Sequence, residues 1–103
     1  MILFSDYKDR KIRLNEERWK HINERHPETI GKEKFIEETL SEPDFIQEGS
    51  KSELLSIKKF KKTPISDNKY LVVVYKPENM GGFLVTAYFT RRPSFRRKLV
   101  WKK

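Results

Sequence analysis

The chain's 103 residues suffice for one domain with one hydrophobic core, and seven Phe, four Tyr and two Trp are there to fill it. Cysteine is absent, which excludes disulfides, thiolate nucleophiles and cysteine-ligated zinc or iron–sulfur sites. Charged residues make up 37% and leave a net charge of +8 with a pI near 9.8, a field that attracts polyanions such as RNA, DNA or an acidic membrane surface.

A plain solubilising surface rich in Lys and Glu would look similar. Two histidines rarely make a metal site unaided, so neither a metal nor a cofactor is expected. No apolar run approaches the ~18 residues of a membrane span. The start Met1-Ile2-Leu3-Phe4 meets Asp6 at once and is too short for a signal peptide. The expectation is a soluble cytoplasmic protein that does not engage a membrane.

Residues 2–5 and 11–14 are short apolar-bearing runs separated by a polar five-residue stretch, and predict a small hairpin. Asn15 to Glu28 then reads as a helix. Asn15 is an N-cap, Leu14 is placed to staple onto Trp19, Glu16 and Glu17 suit the positive end of the helix dipole, and Pro27 stops it. On a helical wheel Trp19, Ile22 and His26 share one face, while Arg18, His21 and Arg25 form a cationic one. One histidine therefore leans toward the core and the other toward solvent. Lys32 to Ser41 repeats the helical period through Phe35, Ile36, Thr39 and Leu40, and stops before Pro43.

From Asp44 the period changes to two. Asp44–Glu48, Glu53–Lys62, Tyr70–Tyr75, Phe83–Thr90 and Leu99–Trp101 predict strands, with a polar loop at Lys61–Asn68 and a turn at Pro77–Gly82. In Phe83–Thr90 the alternation puts Phe83, Val85, Ala87 and Phe89 on one face and Leu84, Thr86, Tyr88 and Thr90 on the other, a core side and a row of hydroxyls. The expected architecture is α+β, with two N-terminal helices packed on one face of a twisted antiparallel sheet of four to five strands.

Three features bear on chemistry: the histidine helix, the hydroxyl row, and the basic connection holding Arg91, Arg92, Arg96, Arg97 and Lys98. A metal-independent ribonuclease needs little more than these residue types. One group takes the proton of a 2′-hydroxyl, another protonates the departing 5′-oxygen, and cations hold the charge at phosphorus. Imidazole exchanges protons near neutral pH, arginine grips phosphate with a two-pronged fork, and Tyr or Thr hydroxyls complete the hydrogen bonding.

His26 is the first choice for acid or base, because it ends the helix and can reach the rim of the sheet; the plainer reading is a half-buried histidine packed on Trp19 and Ile22. His21 points nearly opposite, so a single straight helix cannot bring both to one phosphate. Arg18 and Arg25 are candidate phosphate clamps, or solvated partners of Glu17 and Glu24. Thr86, Tyr88 and Thr90 form a polar floor, or simply the solvent face of a strand. The Arg91–Lys98 cluster, with Phe95 and Trp101 as stacking partners, suits nucleic acid; an acidic protein partner would suit it as well.

Taken in order, W-K-H-I-x-x-R-H-P-E on the first helix, T-L-x-x-P-D-x-I, K-Y-L-V-V-V-Y-K, F-L-V-T-A-Y-F-T and the closing L-V-W resemble the small phage- and mobile-element-associated nuclease domains grouped with barnase, EndoU, certain colicins and RelE. The resemblance spans about residues 12–101. It implies a fold of two helices and a four-stranded antiparallel sheet, and metal-independent RNA cleavage as a toxin or processing activity. It points to His21, Arg25, His26, Thr86, Tyr88, Thr90 and Arg91 as the active positions, with RNA as substrate and a protein antitoxin or immunity protein as partner. The alternatives are a non-catalytic RNA- or DNA-binding module, motivated by the basic cluster, and a basic partner of an acidic antitoxin-like protein.

Overall fold

A computed structural model describes residues 1–63 and 67–103. The hairpin expected at the start forms from β1 (Ile2–Ser5) and β2 (Lys11–Leu14), in the register Ile2 opposite Leu14 and Ser5 opposite Lys11. Asn15 then starts α1 (Glu16–Arg25): its side chain accepts the Arg18 N–H at 2.7 Å. The helix ends one turn earlier than Glu28. His26 is its C-cap, and Pro27–Thr29 form a separate 3₁₀ turn.

Gly31, at φ +73°, leads into α2 (Glu33–Ser41), which begins one residue after the expected Lys32. Its Ile36, Thr39 and Leu40 face inward. The Thr39 carbonyl accepts the buried Ser56 hydroxyl at 2.6 Å, which ties this helix to the sheet.

The strands that follow are β3 (Phe45–Glu48), β4 (Leu54–Lys62), β5 (Asp67–Glu78), β6 (Gly81–Thr90) and β7 (Leu99–Lys102). Together with the hairpin they make one seven-stranded sheet in the order β1-β2-β6-β5-β4-β3-β7. Both the strand count and the all-antiparallel arrangement expected from the sequence are therefore corrected. The hairpin is not a separate unit: β2 runs parallel to the start of β6, pairing Lys11 with Gly81 and Arg13 with Phe83, so the sheet is mixed.

The close approach that this pairing needs is supplied by glycine. A β-carbon on Gly81 would lie 3.1 Å from the Lys11 carbonyl oxygen of β2 and one on Gly82 3.2 Å from Ile12 Cδ1, while on the β5 side Gly82 is tighter still, 2.5 Å from the Lys76 carbonyl oxygen. What looks like turn composition at Gly81-Gly82 is a strand crossing point.

Two other boundaries differ. Lys61, Lys62, Asp67 and Asn68 belong to strands rather than to a loop, with Lys62 paired to Asp67; the rest of that expected loop, residues 64–66, lies outside the described residues. Pro77 and Glu78 continue β5 opposite Gly82 and Gly81, narrowing the turn to Asn79 and Met80. Proline is tolerated there because β4 has ended opposite Tyr75, so the missing N–H faces no neighbouring strand.

One face of the sheet packs under the helices. Leu71, Val73, Tyr75, Leu84, Ala87 and Phe89 meet Ile22 of α1 and Ile36 and Leu40 of α2 in the main core, closed by Phe4, Ile12 and Leu14 of the hairpin. The opposite face carries a smaller apolar cluster of Leu55, Ile57, Val72 and Val74, flanked by Phe45, Tyr70, Val85 and Tyr88. The 91–98 segment is associated with this second face: Phe95 stacks on Phe45 and Gln47 donates to the Ser94 carbonyl at 2.6 Å. The sheet also coils strongly, since Tyr7 in the β1–β2 turn lies 5.4 Å from the Trp101 ring of β7, although these strands stand at opposite ends of the order.

A bulge at Val74/Tyr75 changes the phase of β6. Tyr75 pairs with Leu84 and Val74 with Thr86, so Leu84 turns into the main core while Phe83 is half-exposed, the reverse of simple alternation. Thr86 and Tyr88 stay on the second face, as expected. No helix among the described residues is long and apolar enough to cross a membrane.

Candidate functional site

β2 is four residues long and, on β6, pairs only with its start, which leaves the rest of that β6 edge without a neighbouring strand among the described residues. The last turn of α1 and the 3₁₀ turn lie along this edge. Between them opens a groove of about 550 Å³, within the size range of ligand sites, lined by Arg18, His21, Ile22, Arg25, His26, Val85, Thr86 and Tyr88. Of the residues singled out in the sequence, Arg18, His21, Arg25, His26, Thr86 and Tyr88 are brought together here.

The expectation that His21 and His26 cannot share a site is corrected. Its premise was a straight helix through both. A residue before proline is disfavoured in the α region, and His26 has left the helix at φ −131°, ψ 76°. Instead of packing on Trp19 and Ile22, its ring lies 5.6 Å from the Tyr88 ring at a tilt of 34°. The turn that carries it is pinned from below: the buried Thr29 hydroxyl is 2.7 Å from the His26 carbonyl oxygen, to which it donates, and 3.0 Å from Asn23 Oδ1.

Glu17 and Glu24 pair with His21 rather than with Arg18 and Arg25, each placing a carboxylate oxygen 4.0 Å from the His21 ring. The Arg18 and Arg25 guanidinium groups consequently have no acidic partner among the described residues, and both are exposed. The hydroxyls of Thr86 and Tyr88 are likewise without a hydrogen-bond partner among the described residues. Two cations and two hydroxyls thus line one groove with their bonding capacity unused, beside two imidazoles that have carboxylate neighbours, an arrangement that suits an anion bringing its own acceptors.

Glu28 is a member of the site that the sequence reading missed. Its carboxylate lies 3.8 Å from His26 Nδ1 and accepts the Phe89 N–H of the free β6 edge at 3.4 Å. It therefore links the imidazole to the strand that carries Tyr88. The signal was in the order His-Pro-Glu: proline ends the helix, and the turn after it brings the carboxylate back beside the ring.

The remaining candidates stand outside the groove. The Thr90 hydroxyl is 3.3 Å from both the N–H and the carbonyl of Arg92, closing the turn that leaves β6. Arg91, Arg92, Arg96, Arg97 and Lys98 are exposed along the connection to β7. Among the described residues no group of three or more His, Cys, Asp or Glu is placed to hold a metal ion. No family model, curated protein or solved structure matches the chain.

Proposed function

We propose that the chain is a metal-independent, toxin-like endoribonuclease that cleaves RNA in the groove between α1 and β6. The observation that carries this reading is the meeting of both histidines with two unpaired arginines and a free Tyr–Thr hydroxyl pair on one open surface. The reaction is attack by a ribose 2′-oxygen on the adjacent phosphorus. The O2′–P bond forms as the P–O5′ bond breaks, leaving a 2′,3′-cyclic phosphate and a 5′-hydroxyl.

His26, held between Tyr88 and Glu28, removes the 2′-hydroxyl proton, and His21, which lines the same groove, delivers one to the departing O5′. Arg18 and Arg25 hold the phosphoryl oxygens as negative charge builds, with the Tyr88 and Thr86 hydroxyls as further donors. Glu28 is a positioning residue, since it touches the imidazole and not the RNA.

Purified protein incubated with transfer RNA in EDTA tests this reading beside His26→Ala. Cleavage by the variant should fall by about 10²-fold or more, with the melting temperature within a few degrees because His26 is a third exposed. A variant that cuts as fast as the parent would overturn it. A non-catalytic binding module is the second reading, favoured by the basic residues outside the groove; it expects intact RNA that shifts on a native gel.

A further inference from the structure

The basic connection after β6 is not a loose tail. Pro93 is buried, Ser94 receives a bond from Gln47, and Phe95 stacks on Phe45 of β3 at 6.5 Å with the rings 26° apart. Phe45 belongs to the second face of the sheet, where Thr86 and Tyr88 also stand. Reading across the paired strands, Tyr88 lies opposite Val72, Val72 opposite Ile57 and Ile57 opposite Phe45, one continuous row from β6 to β3. Val72 and Ile57 in the middle of this row are buried, so it is the half-exposed side chains around them, Tyr88, Tyr70 and Phe45, that reach the surface between the groove and the connection, three strand spacings or about 14 Å apart.

Two properties of the far end point to an occupant. Arg91, Arg92, Arg96, Arg97 and Lys98 are exposed, and none has an acidic partner among the described residues. Phe95 stays 69% exposed while its inner side is held by Phe45, so a flat apolar ring is presented outward among cations. Between the two ends Tyr70 lies half-exposed with Lys59 Nζ 5.8 Å from its ring. Cations alternating with presented aromatic rings bind unstacked bases on a charged backbone; a duplex hides its base faces.

Resting on the RNA reading of the groove, we infer that the half-exposed aromatic margin of the second face, with the basic connection, is a track for single-stranded RNA. The strand leaves the groove at Tyr88 and crosses toward the β6–β7 connection, where Arg92, Arg96 and Arg97 hold phosphates and Phe95 stacks on a base. The substrate is thus an oligonucleotide with an unpaired flank.

The probe is a mixed-sequence RNA of about a dozen nucleotides, 2′-O-methylated throughout so that it cannot be cut, followed by fluorescence anisotropy across a salt series. Each single-strand phosphate contact adds about 0.7 to the slope of log affinity against log salt, so Arg92→Ala/Arg96→Ala/Arg97→Ala should lower that slope by about two. Phe95→Ala should weaken binding at least about fivefold, and the melting temperature of each variant checks that it is folded. On cleavable RNA, the triple variant should lose about tenfold more kcat/KM on the long substrate than on a dinucleotide.

An unchanged salt slope in the folded triple variant overturns the track, as does equal affinity for the probe annealed to its complement. Because the probe cannot be cleaved, docking and chemistry fail separately. A protein that cuts no RNA yet binds the probe through these arginines loses the proposed function and keeps the track.

Discussion

At the base of the β1–β2 turn Arg10 and Tyr75 are tied to the buried Asp6 carboxylate in a polar knot, whereas along the α1–β6 groove Arg18, Arg25 and Tyr88 are left open. The residue types are nearly the same. In the knot, the Asp6 carboxylate accepts four bonds: the Lys8 and Arg10 N–H groups, Arg10 Nε at 2.8 Å and the Tyr75 hydroxyl at 3.0 Å. Burial works against the Arg10 charge, but the hydrogen bond and charge of Asp6 outweigh it and hold the guanidinium protonated. Burial first, and then Asp6, push ionisation of the Tyr75 phenol well above its ordinary range. In the groove no such closure occurs. In the knot the carboxylate is saturated, although Arg10 Nη2 is buried without a partner among the described residues; polar groups left open on a surface are available to a ligand.

Substitutions that open the knot should have the largest effects on stability. Asp6→Ala strands a buried guanidinium and a buried phenol together, and is expected to destabilise the fold by about 3 to 5 kcal/mol in chemical denaturation. Tyr75→Phe removes one donor from a charged acceptor and should cost about 1.5 to 3 kcal/mol. It should also change the alkaline limb. An unfolded tyrosine ionises near pH 10, the folded Tyr75 only higher. The stability this difference supplies is complete below about pH 10 and is lost as the pH climbs through the folded value. Phenylalanine removes that dependence, so the parent and the variant should converge in strongly alkaline buffer; parallel curves would contradict the account of the knot.

At the groove the expected effect on stability is the smallest. Arg25→Ala should change the unfolding free energy by no more than about 0.5 kcal/mol, because its guanidinium has no protein partner among the described residues. Its cleavage of RNA should nonetheless fall by about tenfold or more. A destabilisation comparable to Tyr75→Phe would place Arg25 with the structural arginines instead.

The same contrast sets how much could be read in the sequence. Local signals survived folding: the Asn15 cap, the helical period of α2, and the apolar runs that become strands from Phe45 onward. Long-range choices did not. The parallel pairing of β2 with β6 brings the Lys11 carbonyl close over Gly81, and glycine in a sequence reads as a turn. The Val74/Tyr75 bulge adds one residue to β6 and so moved Leu84 and Phe83 to faces that strict alternation denies them.

In the site, the residue types and the Thr86–Tyr88 face were legible, while the meeting of the histidines was not. Pro27 carried that information, since it forces His26 off the helical wheel on which the two rings point apart. Thr90 and Arg91 fall outside the groove, the Thr90 hydroxyl being engaged with the Arg92 backbone where the chain leaves β6.

The central claim is that the groove performs transfer to a 2′-oxygen without a metal, and the ends of the products test it most directly. Parent protein and RNA in EDTA should yield fragments ending in a 2′,3′-cyclic phosphate with a 5′-hydroxyl on the partner fragment, and none from RNA whose 2′-hydroxyls are methylated. Fragments carrying 5′-phosphates, or cutting of the methylated RNA, would contradict it.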